Sequence, residues 1–219
     1  MNILEIKNIT KTYEKGAEKI LALDRFSLKM KPKDFVVVQG ESGCGKTTLL
    51  LICGGLLCPD SGSVKLGGEE IYSLPAEKRA ALRAAKVGFV FQQFNLIPYL
   101  TVQENIISAS LSSAHKPGKE RAAELIKYLG LLKRAGHYPS ELSTGERQRT
   151  ALARAVFNKP ELIFADEPTG NLDEKNAEKT VAFLKEFAGL GGAVIFVTHS
   201  RRIIRESRKV IRLTPVTAA

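Results

Sequence analysis

The sequence predicts an α/β protein: a mostly parallel sheet covered by helices, an antiparallel β subdomain at the N-terminus, and an α-helical subdomain inserted into the sheet core. Three observations predict it. Short continuous apolar runs (Phe35–Val38, Val87–Phe91, Leu162–Ala165 and Ala193–Val197) read as strands buried on both faces. Stretches of helical texture separate them. Between Pro98 and Gly136 the strand-like runs disappear and only helical texture remains. The chain of 219 residues is expected to form a single domain over 1–219, with core at about 1–92 and 158–219 and the helical subdomain at about 93–157.

The elements follow in order. Ile3–Ile9 alternates apolar and polar residues and Leu21–Met30 does so less strictly, so both read as half-buried strands. Asp34 leads into Phe35–Val38, a glycine-rich turn follows, and a helical pattern runs from Gly45 to about Leu56. Pro59-Asp60-Ser61-Gly62 is a turn signal, after which Ser63–Leu66 begins another strand. Pro75–Ala85, rich in Ala, Lys and Arg, reads as a helix before the strand Val87–Phe91. Val102–Leu111 and Lys119–Leu129 are the helices of the inserted part, with His115-Lys116-Pro117-Gly118 as a loop between them. Beyond Pro139 come a helix at about Thr144–Phe157, the strand Leu162–Ala165, a helix at about Asn176–Phe187, the strand Ala193–Val197, a short helix and a final strand at Arg208–Leu213. The tail Thr214–Ala219 is expected to fray.

Composition narrows the partners. A chain of this size buries about 70% of its unfolded surface and needs no disulfide or structural metal to fold. Hydrophobic residues at 44% and charged residues at 26% exclude disorder. The net charge of +10 points to an anionic partner: nucleotide, nucleic acid or acidic lipid. Cys44, Cys53 and Cys58 are odd in number and form no C-x-x-C pair, which argues against a disulfide framework and a zinc site and fits a reducing compartment. The N-terminus reads as a strand rather than a signal peptide. The longest nearly apolar run, Leu49–Cys58, has 10 residues where a membrane span needs about 20.

Gly40-Glu41-Ser42-Gly43-Cys44-Gly45-Lys46-Thr47 matches G-x-x-x-x-G-K-S/T between an expected strand and an expected helix, the setting of a phosphate-binding loop in a P-loop nucleoside-triphosphatase core. Its glycines let backbone N–H groups converge on phosphate oxygens at a helix N-terminus. Lys46 is expected to reach the β- and γ-phosphates and the Thr47 hydroxyl to coordinate Mg²⁺. The strand Leu162–Ala165 ends in Asp166 and Glu167, whose side chains diverge, so that Asp166 is placed to hold the metal through water and Glu167 to face an attacking water. Further on, Ser143 and Glu146 form an S-x-x-E capping box that starts a helix.

Taken together, Gly40–Thr47, Leu142-Ser143-Thr144-Gly145-Glu146-Arg147-Gln148-Arg149 and Asp166-Glu167 resemble the ATP-binding-cassette family of ATPases, whose signature Leu-Ser-Gly-Gly-Gln falls at this place in the order. The resemblance covers nearly the whole chain. It implies that Tyr13 stacks on adenine, and that Ser42, Gly43, Cys44 and Thr48 contact ATP beside the loop residues already named. Gln92 in Phe91-Gln92-Gln93 looks like the glutamine that joins core to helical subdomain and meets the nucleotide and its Mg²⁺. Asp173 matches the loop after the catalytic acid, and His199 matches a switch histidine acting with Glu167 and Lys46. Phe91–Pro98 and Ala165–Asp173 are similar to the lipoprotein-releasing, macrolide-exporting and FtsE-type group.

That resemblance implies an ATP-dependent homodimer in which each phosphate loop faces Ser143–Gly145 of the other chain. It implies also an integral membrane permease as partner, a cytoplasmic location at the face of the cell membrane, and no nucleic acid. Phe94, Leu96, Ile97 and Tyr99 are expected to form part of an exposed docking cleft. Two departures stand out: Thr144 replaces the first signature glycine, and Ser200 follows His199 where the family often has Asp. The basic segment with Arg201, Arg202, Arg205, Arg208, Lys209 and Arg212 reads as a solvated face or as a contact for anionic headgroups or an acidic permease surface. A DNA-maintenance ATPase, the rival reading of the positive charge, carries long coiled coils, and no sustained heptad tract is present. A regulatory module that binds ATP without turnover is disfavoured by Lys46, Glu167 and His199.

Overall fold

In the computed structural model, which describes residues 1–16, 18–111 and 117–214, the N-terminal alternation is half of a long hairpin. Strands β1 (Leu4–Lys15) and β2 (Glu18–Met30) pair antiparallel, and β1 pairs on its other edge with β4 (Ser61–Leu66), which carries the short β5 (Glu69–Glu70). The strand β1 outruns the expected Ile3–Ile9. Thr10–Lys15 has little apolar pattern, and it is the hydrogen-bond ladder to β2, with Thr12 opposite Leu21 and Tyr13 opposite Ile20, that keeps it extended.

The second sheet contains β3 (Phe35–Gln39), β6 (Val87–Phe91), β7 (Leu162–Asp166), β8 (Ala193–Val197) and β9 (Lys209–Arg212) in the order β6-β7-β8-β3-β9, every pair parallel. Side chains alternate across it into two cores. Val36, Val38, Leu162, Phe164, Ile195 and Val197 face the antiparallel sheet and helix α1 (Lys46–Cys53). Val37, Ile163, Ala165, Val194 and Phe196 face the opposite layer. Burial of both faces explains why these strands read as unbroken apolar runs.

That opposite layer contains α3 (Val102–Ile107), α4 (Lys119–Tyr128), α5 (Thr144–Val156) and α6 (Glu174–Gly189). The remaining helices are α2 (Ala76–Lys86), before β6, and α7 (Arg201–Glu206), before β9. Two helices end earlier than their patterns suggest. At the end of α1, Gly54 has no room for a side chain, because a Cβ there would lie 2.2 Å from the ring of Phe89, and Gly55 is left-handed with φ +70°. The run Val102–Leu111 changes to a single 3₁₀ turn at Ser108–Ser110, where the hydroxyls of Ser108 and Ser110 donate to the carbonyls of Asn105 and Ile107. His115 and Lys116 of the expected loop, and the tail from Pro215, lie outside the described residues.

One expectation is corrected. Phe94 does not line an exposed cleft; it is only 9% exposed. Phe94 and Asn95 are left-handed (φ +62° and +46°), and this turn directs the ring inward. Arg154 of α5 fixes the turn by donating to the carbonyls of Phe94 (2.7 Å) and Asn95 (2.6 Å). Leu96 and Ile97 are half-buried, and Tyr99 is exposed as expected. The buried Asn105 orders this stretch: its amide accepts from the Ile97 N–H and donates to the carbonyls of Ile97 and Leu100. Among the described residues no helix is long and apolar enough to cross a membrane.

Candidate functional site

The parallel sheet ends in a row of loops at its C-terminal edge, the usual location of ligands in such sheets. The loop 40–45 leaves β3 there and enters α1. Its glycines are demanded by close approach. A Cβ on Gly45 (φ +91°) would lie 2.2 Å from the Ala22 carbonyl of β2, and one on Gly40 would lie 2.4 Å from both Cys44 Sγ and the Leu213 carbonyl beyond β9. The loop is thus held between the two sheets. Gly43 is also left-handed. Lys46 is only 7% exposed, and its ammonium folds back to donate to the carbonyls of Gly40 (2.8 Å) and Glu41 (2.7 Å). Cys44 is buried and packs as a small turn residue.

Register then adds the acids. Asp166 ends β7 beside Phe91 of β6 and Val197 of β8. The Thr47 hydroxyl donates to Asp166 Oδ2 at 2.8 Å, joining residues 119 apart in sequence. Glu167 follows with φ +46°, an uncommon conformation for a non-glycine residue. Its N–H donates to the Val197 carbonyl (3.1 Å), extending the ladder by one bond. This bend carries the Glu167 carboxylate to His199, whose Nε2 lies 2.8 Å from Oε1. His199 is itself anchored through Thr198, whose N–H donates to the Val38 carbonyl. Ser200 donates its N–H to the Thr198 hydroxyl at 3.0 Å.

Lys46, Thr47, Asp166, Glu167 and His199 therefore come together at the C-terminal ends of three neighbouring strands, β7, β8 and β3. The other expected residues occupy surrounding positions. The Tyr13 hydroxyl lies 3.2 Å from the Thr48 hydroxyl, placing the aromatic ring beside the start of α1. Ser42 stays in the exposed part of the loop. Gln92 is held against the turn after Glu167: its carbonyl accepts from the Asn171 amide (3.0 Å), and its own amide lies against Gly170. No hydrogen bond joins its side chain to Thr47 or Asp166. Asp173 caps α6 by accepting from the Asn176 N–H, and this bond with the Asn176 amide holds its carboxyl below the usual range.

Ser143, Thr144 and Gly145 form a separate turn with no hydrogen bond to the phosphate loop, in which Ser143 and Thr144 are exposed. Ser143 accepts from the Glu146 N–H, and Glu146 accepts from the Ser143 N–H and hydroxyl. Arg134 donates to the same carboxylate at 2.9 Å, and with the Ser143 N–H it brings the Glu146 pKa down to about 2. Thr144 is exposed in the first helical turn. Gly145 is buried against the Asn176 amide, at 3.0 Å from a would-be Cβ. Sequence reading did not find Arg134, Asn171 or Asn176, each a lone polar residue in a loop or helix with no local pattern. Asn171 stood inside a matched segment and had that much of a signal.

A strand–glycine loop–helix at the sheet's C-terminal edge, with a hydroxyl–carboxylate pair beside it, defines a P-loop nucleotide-binding protein. Residues 23–170 match the family model described as ABC transporter, and the chain belongs to that family. It is 41% identical over 218 residues to the macrolide export ATP-binding/permease protein MacB of Syntrophobacter fumaroxidans, covering 97% of this chain and 30% of that protein. It is 40% identical over 214 residues to the lipoprotein-releasing system ATP-binding protein LolD of Pseudomonas syringae pv. tomato, covering 96% of this chain and 94% of LolD. The chain thus spans about a third of the exporter and nearly all of LolD. The solved dimeric structure of a post-hydrolysis state of the ATP-binding cassette MJ0796, bound to ADP and Pi, superimposes with a TM-score of 0.89 at 38% identity, covering 97% of this chain and 96% of that one. The expected α/β fold and family are borne out.

Proposed function

We propose that this chain is the ATP-binding and ATP-hydrolysing subunit of an ABC transporter, working as an ATP-driven dimer on a membrane permease. The observation that carries the reading is the pairing of Thr47 with Asp166 on one side of the loop mouth and of Glu167 with His199 on the other. Glycine-enforced backbone geometry in 40–45 cradles the phosphates, Lys46 swings from its two carbonyls to the β/γ-phosphate oxygens, and Tyr13 stacks on the base. Thr47 and Asp166 offer hard oxygen atoms suited to Mg²⁺, with Gln92 as a further contact, and Mg²⁺ when bound neutralises phosphate charge. Among the described residues no three His, Cys, Asp or Glu side chains form a metal cluster, which fits an ion that takes its remaining ligands from phosphate and water.

Glu167 polarises the attacking water, and His199 orients Glu167 and stabilises the γ-phosphate. Ser143 and Gly145 of a second chain close over the triphosphate, where the N-terminus of α5 favours negative charge. Asp173 holds the loop between the two sites. We read residues from about 93 to 157 as the helical subdomain that carries the motion. A groove of about 440 Å³ beside β6 and α5, lined by Leu56, Arg83, Phe91, Asn95, Ile97 and Arg154 among others, supports permease docking there. The location that follows is the cytoplasmic face of the cell membrane. The test is turnover and association measured together: the purified chain should hydrolyse ATP with Mg²⁺ and form dimers only with ATP. Failure of both would overturn the reading.

A further inference from the structure

At the start of α5 the Ser143 hydroxyl is already engaged. Its oxygen accepts from the Glu146 N–H at 3.3 Å, and its proton is donated to Glu146 Oε2 at 2.9 Å. The same Oε2 accepts from the Ser143 N–H at 2.8 Å. A hydroxyl carries one donor, so Ser143 has none to offer an incoming anion while that proton stays with Glu146. A phosphate oxygen placed to accept from Ser143 would lie within about 6 Å of Oε2, two hydrogen-bond lengths away. An uncompensated carboxylate there repels the triphosphate that the helix N-terminus attracts. The signature Leu-Ser-Gly-Gly-Gln ends in an uncharged residue where this chain has Glu146.

Arg134 answers that charge. Its Nε donates at 2.9 Å to Oε1, the carboxylate oxygen that Ser143 does not use. The arginine is firmly mounted. The loop that carries it rests on the start of α3, where the carbonyls of Ala135 and His137 accept from the N–H groups of Gln103 (3.0 Å) and Val102 (2.9 Å), and Arg134 Nη1 lies 3.2 Å from His137 Nε2. Arg147, in the first turns of α5, is engaged elsewhere, its Nε donating to the carbonyls of Pro139 and Leu142. We propose that Arg134 is a positioning residue for the ATP-bound dimer: it neutralises Glu146 at Oε1, so that the Ser143 O–H turns from Oε2 to the γ-phosphate held by the second chain. A paired carboxylate holds the serine proton less firmly and no longer repels the triphosphate. The proposal rests on the dimer reading given above.

The experiment measures ATP-driven dimerisation of the full chain by light scattering, in a Glu167→Gln parent so that hydrolysis does not reverse it. Arg134→Ala should weaken the dimer about tenfold, the effect of one charge at roughly 6 Å in a half-solvated site. ATP binding to the monomer, whose phosphate loop is untouched, should stay the same. Arg134→Lys keeps the charge and should restore most of the loss. Glu146→Gln alone should dimerise at least as tightly as the parent. The deciding variant combines Arg134→Ala with Glu146→Gln: once the carboxylate is neutral its cation is dispensable, and dimerisation should return to the parent's level. A bracing role for Arg134 would leave the double variant as weak as Arg134→Ala, and that result overturns the proposal. So does a weakened dimer in Glu146→Gln alone, or no change in Arg134→Ala. A parent that forms no dimer with ATP would instead overturn the dimer reading, and this proposal with it.

Discussion

The Nε2 atom of His199 lies 2.8 Å from Oε1 of Glu167, across the ends of two adjacent strands. The contact depends on the left-handed backbone of Glu167, which is secured by its N–H bond to the Val197 carbonyl. A carboxylate so placed is oriented before any substrate arrives, which is the arrangement a general base requires.

Glu167→Gln keeps the side-chain shape but removes the base. ATP affinity should be retained, turnover should fall at least about 100-fold, and an ATP-bound dimer should accumulate. Phosphate release and light scattering measure the two outcomes. An undiminished rate would take Glu167 out of the reaction.

Gly45→Ala tests the loop's packing. The new Cβ meets the Ala22 carbonyl at 2.2 Å in a backbone conformation that L-residues rarely adopt. The fold should lose about 1–3 kcal/mol, read from the midpoint of urea unfolding, because β2 or the loop must shift. Nucleotide binding should fall with it. Retained stability and affinity would show that the loop has more room than its contacts indicate.

The Arg134–Glu146 contact predicts an acid-sensitive signature turn. Glu146 has its pKa lowered to about 2, first by Arg134 and then by the Ser143 N–H. A carboxylate depressed on folding contributes stability above its unfolded pKa of about 4.3, and the contribution disappears as pH falls from there toward 2. Glu146→Gln keeps an acceptor for Ser143 without the charge, so its stability should vary less than the parent's between pH 5 and pH 2 (about the unfolded-to-folded pKa window). Parallel curves for the two proteins would remove Glu146 from acid unfolding.

Permease docking predicts a contact at Asn95, which is exposed beside the half-buried Leu96 and Ile97. A cysteine placed there should crosslink to a membrane partner in vesicles that contain the permease. A cysteine at Leu190, exposed on the far end of α6, serves as the control. Crosslinks from Leu190 alone, or capture of DNA-binding proteins instead, would contradict the proposed surface.

What the sequence determined by itself is whatever its chain neighbours enforce. The apolar runs at 35–38, 87–91, 162–165 and 193–197 declared a doubly covered sheet because both faces of each strand are buried. The loop 40–47 declared itself because glycine, lysine and threonine need fixed spacing at a strand–helix junction, and Ser143 and Glu146 declared a helix start because a capping box closes over three residues. Tertiary structure alone decided the rest. The strand order β6-β7-β8-β3-β9 brings Thr47 to Asp166 over 119 positions, a distance at which no local pattern operates. Arg154, 60 positions from Phe94, fixes the turn that buries that ring, although the local sequence reads as an exposed apolar stretch.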